Sequence, residues 1–139
     1  HLKADLTDKV AALSEMLAKV EERAPKVAKE YRDKIKARIA EFLAEVEIDE
    51  ARLLNEVAFF ADRCQIDEEI TRLKSHIKQF GEMTGRGKPC GKELDFIVQE
   101  MNREVNTMGS KSNDAILSET VIGMKAEIEK IREQIQNIE

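Results

Sequence analysis

The sequence predicts an all-α protein whose long amphipathic helices pack as antiparallel hairpins or an extended bundle, with a heptad helix at the C-terminus. Three observations lead to this fold class. Apolar residues recur at steps of three and four along most of the chain, and no segment alternates apolar and polar residues as a strand would. Charged residues make up 37% of the 139 residues and aromatic residues only 4%, which is typical of helices with much exposed surface.

The first 48 residues are predicted to form a helical hairpin arm. The apolar residues of its first helix are Leu6, Val10, Leu13, Leu17 and Val20. Pro25 is expected to end that helix and to occupy the first turn of a second one. The second apolar face consists of Val27, Tyr31, Ile35, Ile39, Phe42 and Val46. Because the apolar pattern begins at once and without a capping residue, we expect the chain to be a fragment of a longer protein.

Residues 49–139 are predicted to form a second helical domain. Asp49 is a candidate N-cap for its first helix. The apolar seam of that helix runs through Leu53, Val57, Phe60 and Cys64, then shifts by one position to Ile66, Ile70, Leu73, Ile77 and Phe80. This shift indicates that the helix rotates, bends or changes its packing partner near Gln65.

Two further helices are predicted beyond a glycine-rich loop, GEMTGRGKPCGKE. The apolar face of the next helix consists of Leu94, Val98, Met101, Val105 and Met108. The stretch GSKSND interrupts the pattern, and Ser112 or Asn113 is the expected cap of the last helix. The last seam is a heptad repeat of Leu117, Val121, Met124, Ile128, Ile131, Ile135 and Ile138. Such a seam packs within one chain or between chains, so a homo-oligomer is expected.

Composition and spacing exclude several classes of protein. The net charge of −5 argues against phosphate binding by the whole surface, and the apolar runs are too short to span a membrane. Cys64 and Cys90 show neither CxxC nor Cys/His spacing, so no zinc site is expected and two free thiols fit a reducing cytoplasm. The loop lacks the glycine fingerprints of nucleotide-binding proteins.

The first candidate site lies in DRCQIDEEITRLKSH. On a helix, Glu68, Arg72 and His76 follow one another at four-residue steps. Glu69 joins the same ridge, and Asp62, seven residues before it, can extend the row. Carboxylates beside a histidine could hold a hard divalent cation and transfer protons. The alternative is a surface ladder of Glu–Arg pairs with a structural or solvated histidine, and sequence alone favours that alternative.

The second candidate is the polar side of the helix after the loop. One ridge consists of Asp95, Gln99, Asn102, Arg103 and Asn106, and its neighbour consists of Glu100, Glu104 and Thr107. Asparagine and threonine are poor helix formers, which argues against a merely solvated face. Amide and guanidinium groups could bind a polar ligand, or they could form hydrogen bonds between helices. The residues leave these two alternatives about even.

The third candidate is a basic strip around the loop. Its members are Lys74, Lys78, Arg86, Lys88 and Lys92. With glycine-rich backbone nearby, such a strip could hold a phosphate backbone. The alternative is a loop that lysines keep soluble, and for the strip taken alone this alternative is favoured.

Three blocks of the sequence resemble the C-terminal half of the YicC family of bacterial proteins. They are IDEEITRLKSHIKQF, GKELDFIVQEMNREVNTMGSKSNDA and MKAEIEKIREQIQNIE. The upstream stretch RIAEFLAEVEIDEARLLNEVAFFADRC is similar to the helical region that precedes these blocks in that family. The resemblance implies a cytoplasmic, oligomeric, metal-dependent endoribonuclease with an additional N-terminal domain, and nothing in this chain resembles that domain.

The resemblance also marks individual residues. In the first block these are Glu68, Glu69, Arg72 and His76, and in the second they are Leu94, Asp95, Phe96, Gln99, Glu100, Asn102, Arg103, Glu104, Asn106, Thr107, Ser110 and Lys111. The chain departs from the family where Glu93 follows Lys92, since the family has two basic residues there. It departs again at Ile116, where the family often has Glu. The first departure could weaken a contact to the RNA backbone.

From this resemblance and the chemistry of the side chains, we assign roles as a hypothesis. The divalent cation, Mn²⁺ or Mg²⁺, is assigned to Glu68, Glu69, Glu100 and Glu104, with Asp62 as a weaker candidate. The catalytic group is His76, as general acid or base, with Glu68 and Glu69. The phosphate contacts are assigned to Arg72, Arg103 and Lys111, and the sugar or base contacts to Gln99, Asn102 and Asn106.

The expected substrate is single-stranded or structured RNA. The full-length protein is expected to form a homo-oligomer, for which a hexamer is one candidate, without a membrane partner. The alternative function is a non-catalytic helical module for oligomerisation or RNA contact that a missing N-terminal domain completes. In that case, the polar residues would be interhelical hydrogen bonds that set register. A third interpretation, RNA binding without cleavage, differs from the first only in lacking metal dependence.

Overall fold

A computed structural model describes residues 2–42, 47–85 and 91–137, and these residues form five helices and no strand. The helices are α1 (Leu2–Phe42), α2 (Glu50–Arg63), α3 (Asp67–Thr84), α4 (Gly91–Lys111) and α5 (Ala115–Gln136). The predicted all-α fold class is confirmed. None of the helices in these ranges combines the length and the apolar character that a membrane span requires.

Helices α1, α3, α4 and α5 pack side by side in a closed cycle. Helix α1 contacts α5 and α3, and α4 contacts the same two helices from the other side. Helices α3 and α4 run antiparallel, because Glu69 near the start of α3 pairs with Lys111 at the end of α4. Helix α2 packs on the second half of α1, where the rings of Tyr31 and Phe60 stack with centroids 3.7 Å apart.

Most residues of the predicted apolar seams form the core, whereas Ile35, Ile39 and Val57 are only half-buried. The largest fully buried side chains are Leu13, Val20, Leu73, Phe80, Leu94, Val98, Met101, Val105, Met108, Met124, Ile131 and Ile135. The heptad seam of α5 is buried from Leu117 to Ile135, and Ile138 lies outside the described residues. Within this chain the seam therefore packs against α1 and α4.

Helix α1 continues through Pro25, so the expected helix break at that residue is wrong. A proline inside a helix removes one backbone hydrogen bond and costs about 3 kcal/mol. Here Val20 and Val27 are both buried, on either side of the proline, so packing holds both halves of α1 against the bundle. The division of the chain near residue 48 stays a prediction.

The shift of the apolar seam near Gln65 marks a boundary between two helices. Helix α2 ends at Arg63 and α3 begins at Asp67, and the main packing partner changes from α1 for α2 to α4 for α3. Asp49 caps α2 as predicted, since its side chain accepts a hydrogen bond of 3.2 Å from the backbone nitrogen of Arg52. The predicted glycine-rich loop, residues 81–93, is too long at both ends, because residues 81–84 belong to α3 and residues 91–93 belong to α4. Residues 86–90 lie outside the described ranges.

The cap of α5 is Asp114, so the expectation of Ser112 or Asn113 is wrong. The carboxylate of Asp114 accepts a hydrogen bond of 3.0 Å from the backbone nitrogen of Leu117. It also accepts two hydrogen bonds from Arg23 of α1, at 2.9 and 2.7 Å. The ion pair with Arg23 thus explains why Asp114, and not Ser112 or Asn113, caps α5.

Candidate metal centre between helices α3 and α4

Helices α3 and α4 bring two rows of polar side chains together. On α3, Glu69, Arg72 and His76 recur at steps of three and four, so they share one face. On α4, Glu100 and Glu104 stand one turn apart. Because the two helices are antiparallel and pack directly, these rows face each other across one edge of the bundle, which is called the α3–α4 edge below.

The centre of this edge is a group of three possible metal ligands. A ring nitrogen of His76 and one carboxylate oxygen from each of Glu100 and Glu104 all lie within 4.8 Å of one another. Glu104 is buried, and the other two side chains are half-buried. Carboxylates suit Mg²⁺ and Mn²⁺, and neutral imidazole is the commonest metal ligand in proteins. The donor set therefore fits a divalent cation.

The surroundings of His76 support the same conclusion. Its Nδ1 atom lies 3.4 Å from Oε1 of Gln79, which can only accept a hydrogen bond. Its Nε2 atom is enclosed and has no hydrogen-bond partner among the described residues. If Nδ1 donates its hydrogen to Gln79, Nε2 keeps a lone pair that a cation can bind. A cation would satisfy the nitrogen and the carboxylates together.

Arg72 lies beside this group and contacts three carboxylates. Its Nε atom donates to both oxygens of Glu104 at 3.0 Å. Its terminal nitrogens lie 3.5 Å from Glu68 and 3.7 Å from Glu69. The hydrogen bond to Glu104 is the main reason that the pKa of Arg72 is raised, so the guanidinium stays charged. The contact from Nε fixes the orientation of the Glu104 carboxylate.

Glu69 is held by a second cation, Lys111. The Nζ atom of Lys111 donates to Oε1 of Glu69 at 2.7 Å and to the backbone oxygen of Gln65 at 3.3 Å. Burial raises the pKa of Glu69, but the hydrogen bond and charge of Lys111, together with the charge of Arg72, outweigh it and leave the pKa below its usual value. This ion pair joins the start of α3 to the end of α4.

The amide and arginine residues of α4 point away from the core. Gln99, Asn102, Arg103 and Asn106 are all exposed, and Nε2 of Gln99 donates within its own helix to Asp95 at 2.9 Å. Within this chain they are therefore not the buried hydrogen bonds between helices that the alternative interpretation expected. Instead, the charged side chains buried between α3 and α4 are those of Glu69 and Glu104.

The basic strip is dispersed in the described part of the chain. Lys74 pairs with Glu21 of α1, while Lys78 and Lys92 are exposed at other positions. The remaining members, Arg86 and Lys88, and the second cysteine, Cys90, lie outside the described residues.

Asp62 lies apart from the α3–α4 edge. It lines a groove of about 540 Å³ between α1, α2 and α3, together with Cys64. A continuous row of carboxylates from Asp62 to Glu69 requires both residues to lie on one helix. Helix α2 ends at Arg63, so they do not. Burial raises the pKa of the Cys64 thiol, which disfavours the reactive thiolate.

The grouping of the predicted site residues differs from the sequence-based assignment. The sequence-based assignment named four glutamates as ligands of the cation and treated His76 as a general acid or base. In the structure, His76 joins Glu100 and Glu104, whereas Glu68 and Glu69 pair with basic side chains. Spacing along one helix could not reveal this, because the group forms only when α3 packs on α4. The four-residue step between the two α4 glutamates was the available signal.

Residues 20–139 match the family model described as endoribonuclease YicC-like, C-terminal. The chain is 45% identical, over 139 residues, to a protein of Clostridioides difficile (strain 630) named probable endoribonuclease YicC, and the match covers 99% of this chain and 47% of that protein. A protein of the same name from Haemophilus influenzae is 36% identical over 121 residues, 87% of this chain and 42% of that protein. The chain thus spans a little under half the length of these relatives.

Proposed function

Because this chain belongs to the YicC-like endoribonuclease family and matches its C-terminal part, we propose that it forms the cation-binding and RNA-contacting part of a metal-dependent endoribonuclease. The reaction is cleavage of a phosphodiester bond in single-stranded or structured RNA. One observation supports this more than any other: His76, Glu100 and Glu104 converge beside an exposed face of amide and arginine side chains.

The proposed cation is Mn²⁺ or Mg²⁺, held by His76, Glu100 and Glu104. The enclosed Nε2 atom of His76, which has no hydrogen-bond partner among the described residues, and the two neighbouring carboxylates support occupation by a cation. When bound, the cation would supply a Lewis acid that offsets the charge developing on the phosphate. A hydrogen bond from Nδ1 of His76 to Gln79 would leave Nε2 free to bind the cation, and Arg72 orients the carboxylate of Glu104.

The proposed RNA contacts lie on α4, on the exposed side of the helix that carries two of the cation ligands. Arg103 offers a planar set of donors that suits a phosphate. The amides of Gln99, Asn102 and Asn106 offer donors and acceptors for sugar and base edges. All four side chains are exposed, so a polynucleotide can reach them without any change in the bundle.

The remaining predicted residues have supporting roles in this proposal. Glu68 and Glu69 hold Arg72 and Lys111 through ion pairs. The side chains of these two cations are 47% and 37% exposed, so their outer sides remain candidates for phosphate contacts. His76 Nε2 can bind a cation or exchange a proton, but not both at once, and the two converging carboxylates favour the cation.

A second function has one observation in its favour. Two buried glutamates, Glu69 and Glu104, form ion pairs between α3 and α4, and buried charges of this kind can set the register of a helical assembly. In that case, the chain is a non-catalytic oligomerisation or RNA-contact module. This function predicts that substitutions at the α3–α4 edge reduce the melting temperature and that the chain binds no divalent cation there.

The experiment is cleavage of a 5′-labelled RNA, with unpaired and paired segments, in Mn²⁺, Mg²⁺ or EDTA. It uses this chain and a longer protein that includes the N-terminal region of the relatives. The variants are His76→Ala and Glu100→Gln, and the matched control is Glu119→Gln, an exposed carboxylate on α5. Titration calorimetry with Mn²⁺ alone measures cation binding independently of cleavage.

The proposal expects cation-dependent cleavage that both site variants lose and the control keeps, with Mn²⁺ binding lost in the same variants. Cleavage by the longer protein but not by this chain would indicate that the N-terminal region contributes part of the catalytic site. Cleavage that persists in EDTA and in His76→Ala would contradict the assigned site, and absence of cleavage from both proteins would favour the non-catalytic module.

We also propose that the full-length protein is cytoplasmic and forms a homo-oligomer, for which a hexamer is one candidate. The support is the family resemblance alone, because the heptad seam of α5 is buried within this chain. Light scattering on the longer protein measures its mass, and a monomer at micromolar concentration would contradict the assembly.

A further inference from the structure

A stripe of exposed side chains runs along α4 past the candidate metal centre. Lys92, Phe96, Gln99, Arg103 and Asn106 follow at steps of four and three, so they lie on one face of the helix. All five are exposed. A stripe with a cation near each end, an aromatic ring and amides has the composition of a surface that binds single-stranded nucleic acid.

Phe96 is the unusual member of this stripe. Phe96 is 60% exposed, whereas Phe60 and Phe80 are 4% and 1% exposed. Phe59 is similarly exposed at 62%, but Arg63 lies over its ring at 5.3 Å. Leaving a phenylalanine ring in water forgoes the free energy of burying it. A ligand that covers the ring would recover that free energy, and the ring lies beside the candidate metal centre.

The ring of Phe96 borders a groove that adjoins the metal centre. The groove has a volume of about 460 Å³ and lies between α3 and α4, with Gln79 and Met83 on one wall and Lys92 and Phe96 on the other. Gln79 is the residue that contacts His76. A ligand in the groove would therefore lie next to the group that holds the cation.

The polar residues of the groove favour a base over a phosphate as its occupant. Glu82 and Glu93 also line it, and their charges repel a phosphate but can accept hydrogen bonds from base amino groups. The phosphates are better placed towards Arg103, about two turns further along α4. Phe96 stands one turn from Glu100 on the same helix, so a base on its ring is adjacent to the cation ligands.

We propose that Phe96 is the stacking platform for one unpaired RNA base next to the cleaved phosphodiester, so that the enzyme selects unpaired over duplex RNA at this position. This inference rests on the proposed function and names the substrate class of the same site. Bases within a duplex present their faces only to one another, whereas an unpaired base can turn out and stack on an aromatic side chain.

The chain contains no tryptophan, so the fluorescence of a tryptophan introduced by substitution reports on that position alone. Phe96→Trp places a single fluorophore at the platform, and Phe59→Trp places one at a similarly exposed position on α2. Each variant is titrated with an unlabelled single-stranded RNA and with the same RNA annealed to its complement, in EDTA so that no cleavage occurs. Phe96→Ala and Phe96→Tyr are compared for RNA affinity and for cleavage.

The expected result is quenching of the indole fluorescence of the Phe96→Trp protein by the single strand, little quenching by the duplex, and no quenching in the Phe59→Trp protein. Because a stacked base contributes about one to two powers of ten in affinity, Phe96→Ala should weaken single-strand binding about tenfold, while Phe96→Tyr retains it. An equal response to single strand and duplex, or an unaltered affinity of Phe96→Ala, would overturn the inference.

These outcomes are separate from those of the proposed function. Cation-dependent cleavage without quenching would reject the stacking platform and leave the endoribonuclease standing. Quenching and weaker binding in Phe96→Ala, without cleavage by any form of the protein, would reject the nuclease and leave a single-strand binding surface.

Discussion

Replacing Lys111 by methionine removes the closest partner of a buried carboxylate and keeps the length of the side chain. Glu69 is 2% exposed, and its remaining cation, Arg72, lies 3.7 Å away. Breaking a fully buried ion pair costs about 3–5 kcal/mol. Lys111 is partly exposed, so water replaces some of the lost contact and we expect a loss of about 2 kcal/mol at neutral pH. For a chain of this size that lowers the melting temperature by roughly 6–10 °C.

The loss should depend on pH in a defined direction. Burial opposes the ionisation of Glu69, but the hydrogen bond from Lys111 keeps its folded-state pKa below the ordinary value of 4.5. The stabilisation from the ionised pair is therefore present above pH 4.5 and is lost as the pH falls through the lower folded-state pKa. In the variant, burial is opposed less strongly, so the pKa of Glu69 rises and the carboxylate takes up its proton at a higher pH. The difference between the two proteins should shrink under acid conditions.

Urea unfolding followed by circular dichroism, at about pH 7 and at about pH 3, measures this difference. Lys125→Met is the matched control, because Lys125 is exposed on α5 and its replacement should change stability by less than about 0.5 kcal/mol. An unchanged unfolding midpoint for Lys111→Met at neutral pH would show that Lys111 does not hold the buried carboxylate. The same loss at both pH values would show that packing, and not the ion pair, explains it.

Three further substitutions test other parts of the fold. Asp114→Asn should lower the melting temperature at neutral pH, because the hydrogen bonds of Arg23 hold the pKa of Asp114 below its usual 3.8. That stabilisation is present above pH 3.8 and is lost as the pH falls through the lower folded-state pKa, as melts across this range would show. Gly81→Ala should raise stability by about 0.5–1 kcal/mol in urea unfolding, because its added Cβ meets no atom within 4 Å. Gly109→Ala should show no such gain, since its Cβ would lie 3.2 Å from Val121; equal gains for the two glycines would contradict the packing described for α4 and α5.

The helices could be predicted because their apolar residues repeat along the sequence, and the errors at Pro25 and at the cap of α5 have a common cause. Pro25 is a helix breaker by local rules, yet Val20 and Val27 pack on the bundle from both sides of it. Asp114 was one of several adjacent polar residues that can cap a helix, and its contact with Arg23 decided among them. In both cases, residues distant in the sequence outweighed the local preference. Patterns within one helix cannot contain that information.

The site could be predicted only as an inventory of polar residues on two helices. Sequence reasoning found His76, Glu100 and Glu104, but it assigned them to different roles because spacing relates residues of one helix only. It also left open whether Asn102 was buried between helices, and the structure places that side chain at the surface. Both points depend on the rotation of α4 about its axis, which the packing of its apolar stripe against α3 and α5 determines.

The charges of the α3–α4 edge provide a physical reason for a divalent cation in particular. The glutamates of the edge are Glu68, Glu69, Glu100 and Glu104, and its cationic side chains are Arg72 and Lys111. Their formal charges leave an excess of two negative charges when the histidine is neutral. A divalent cation would neutralise that excess while it satisfies the unpartnered histidine nitrogen. Glu68→Gln removes one of these charges without removing one of the three proposed ligands, so its effect on Mn²⁺ binding measures the electrostatic contribution separately from the coordination of the cation.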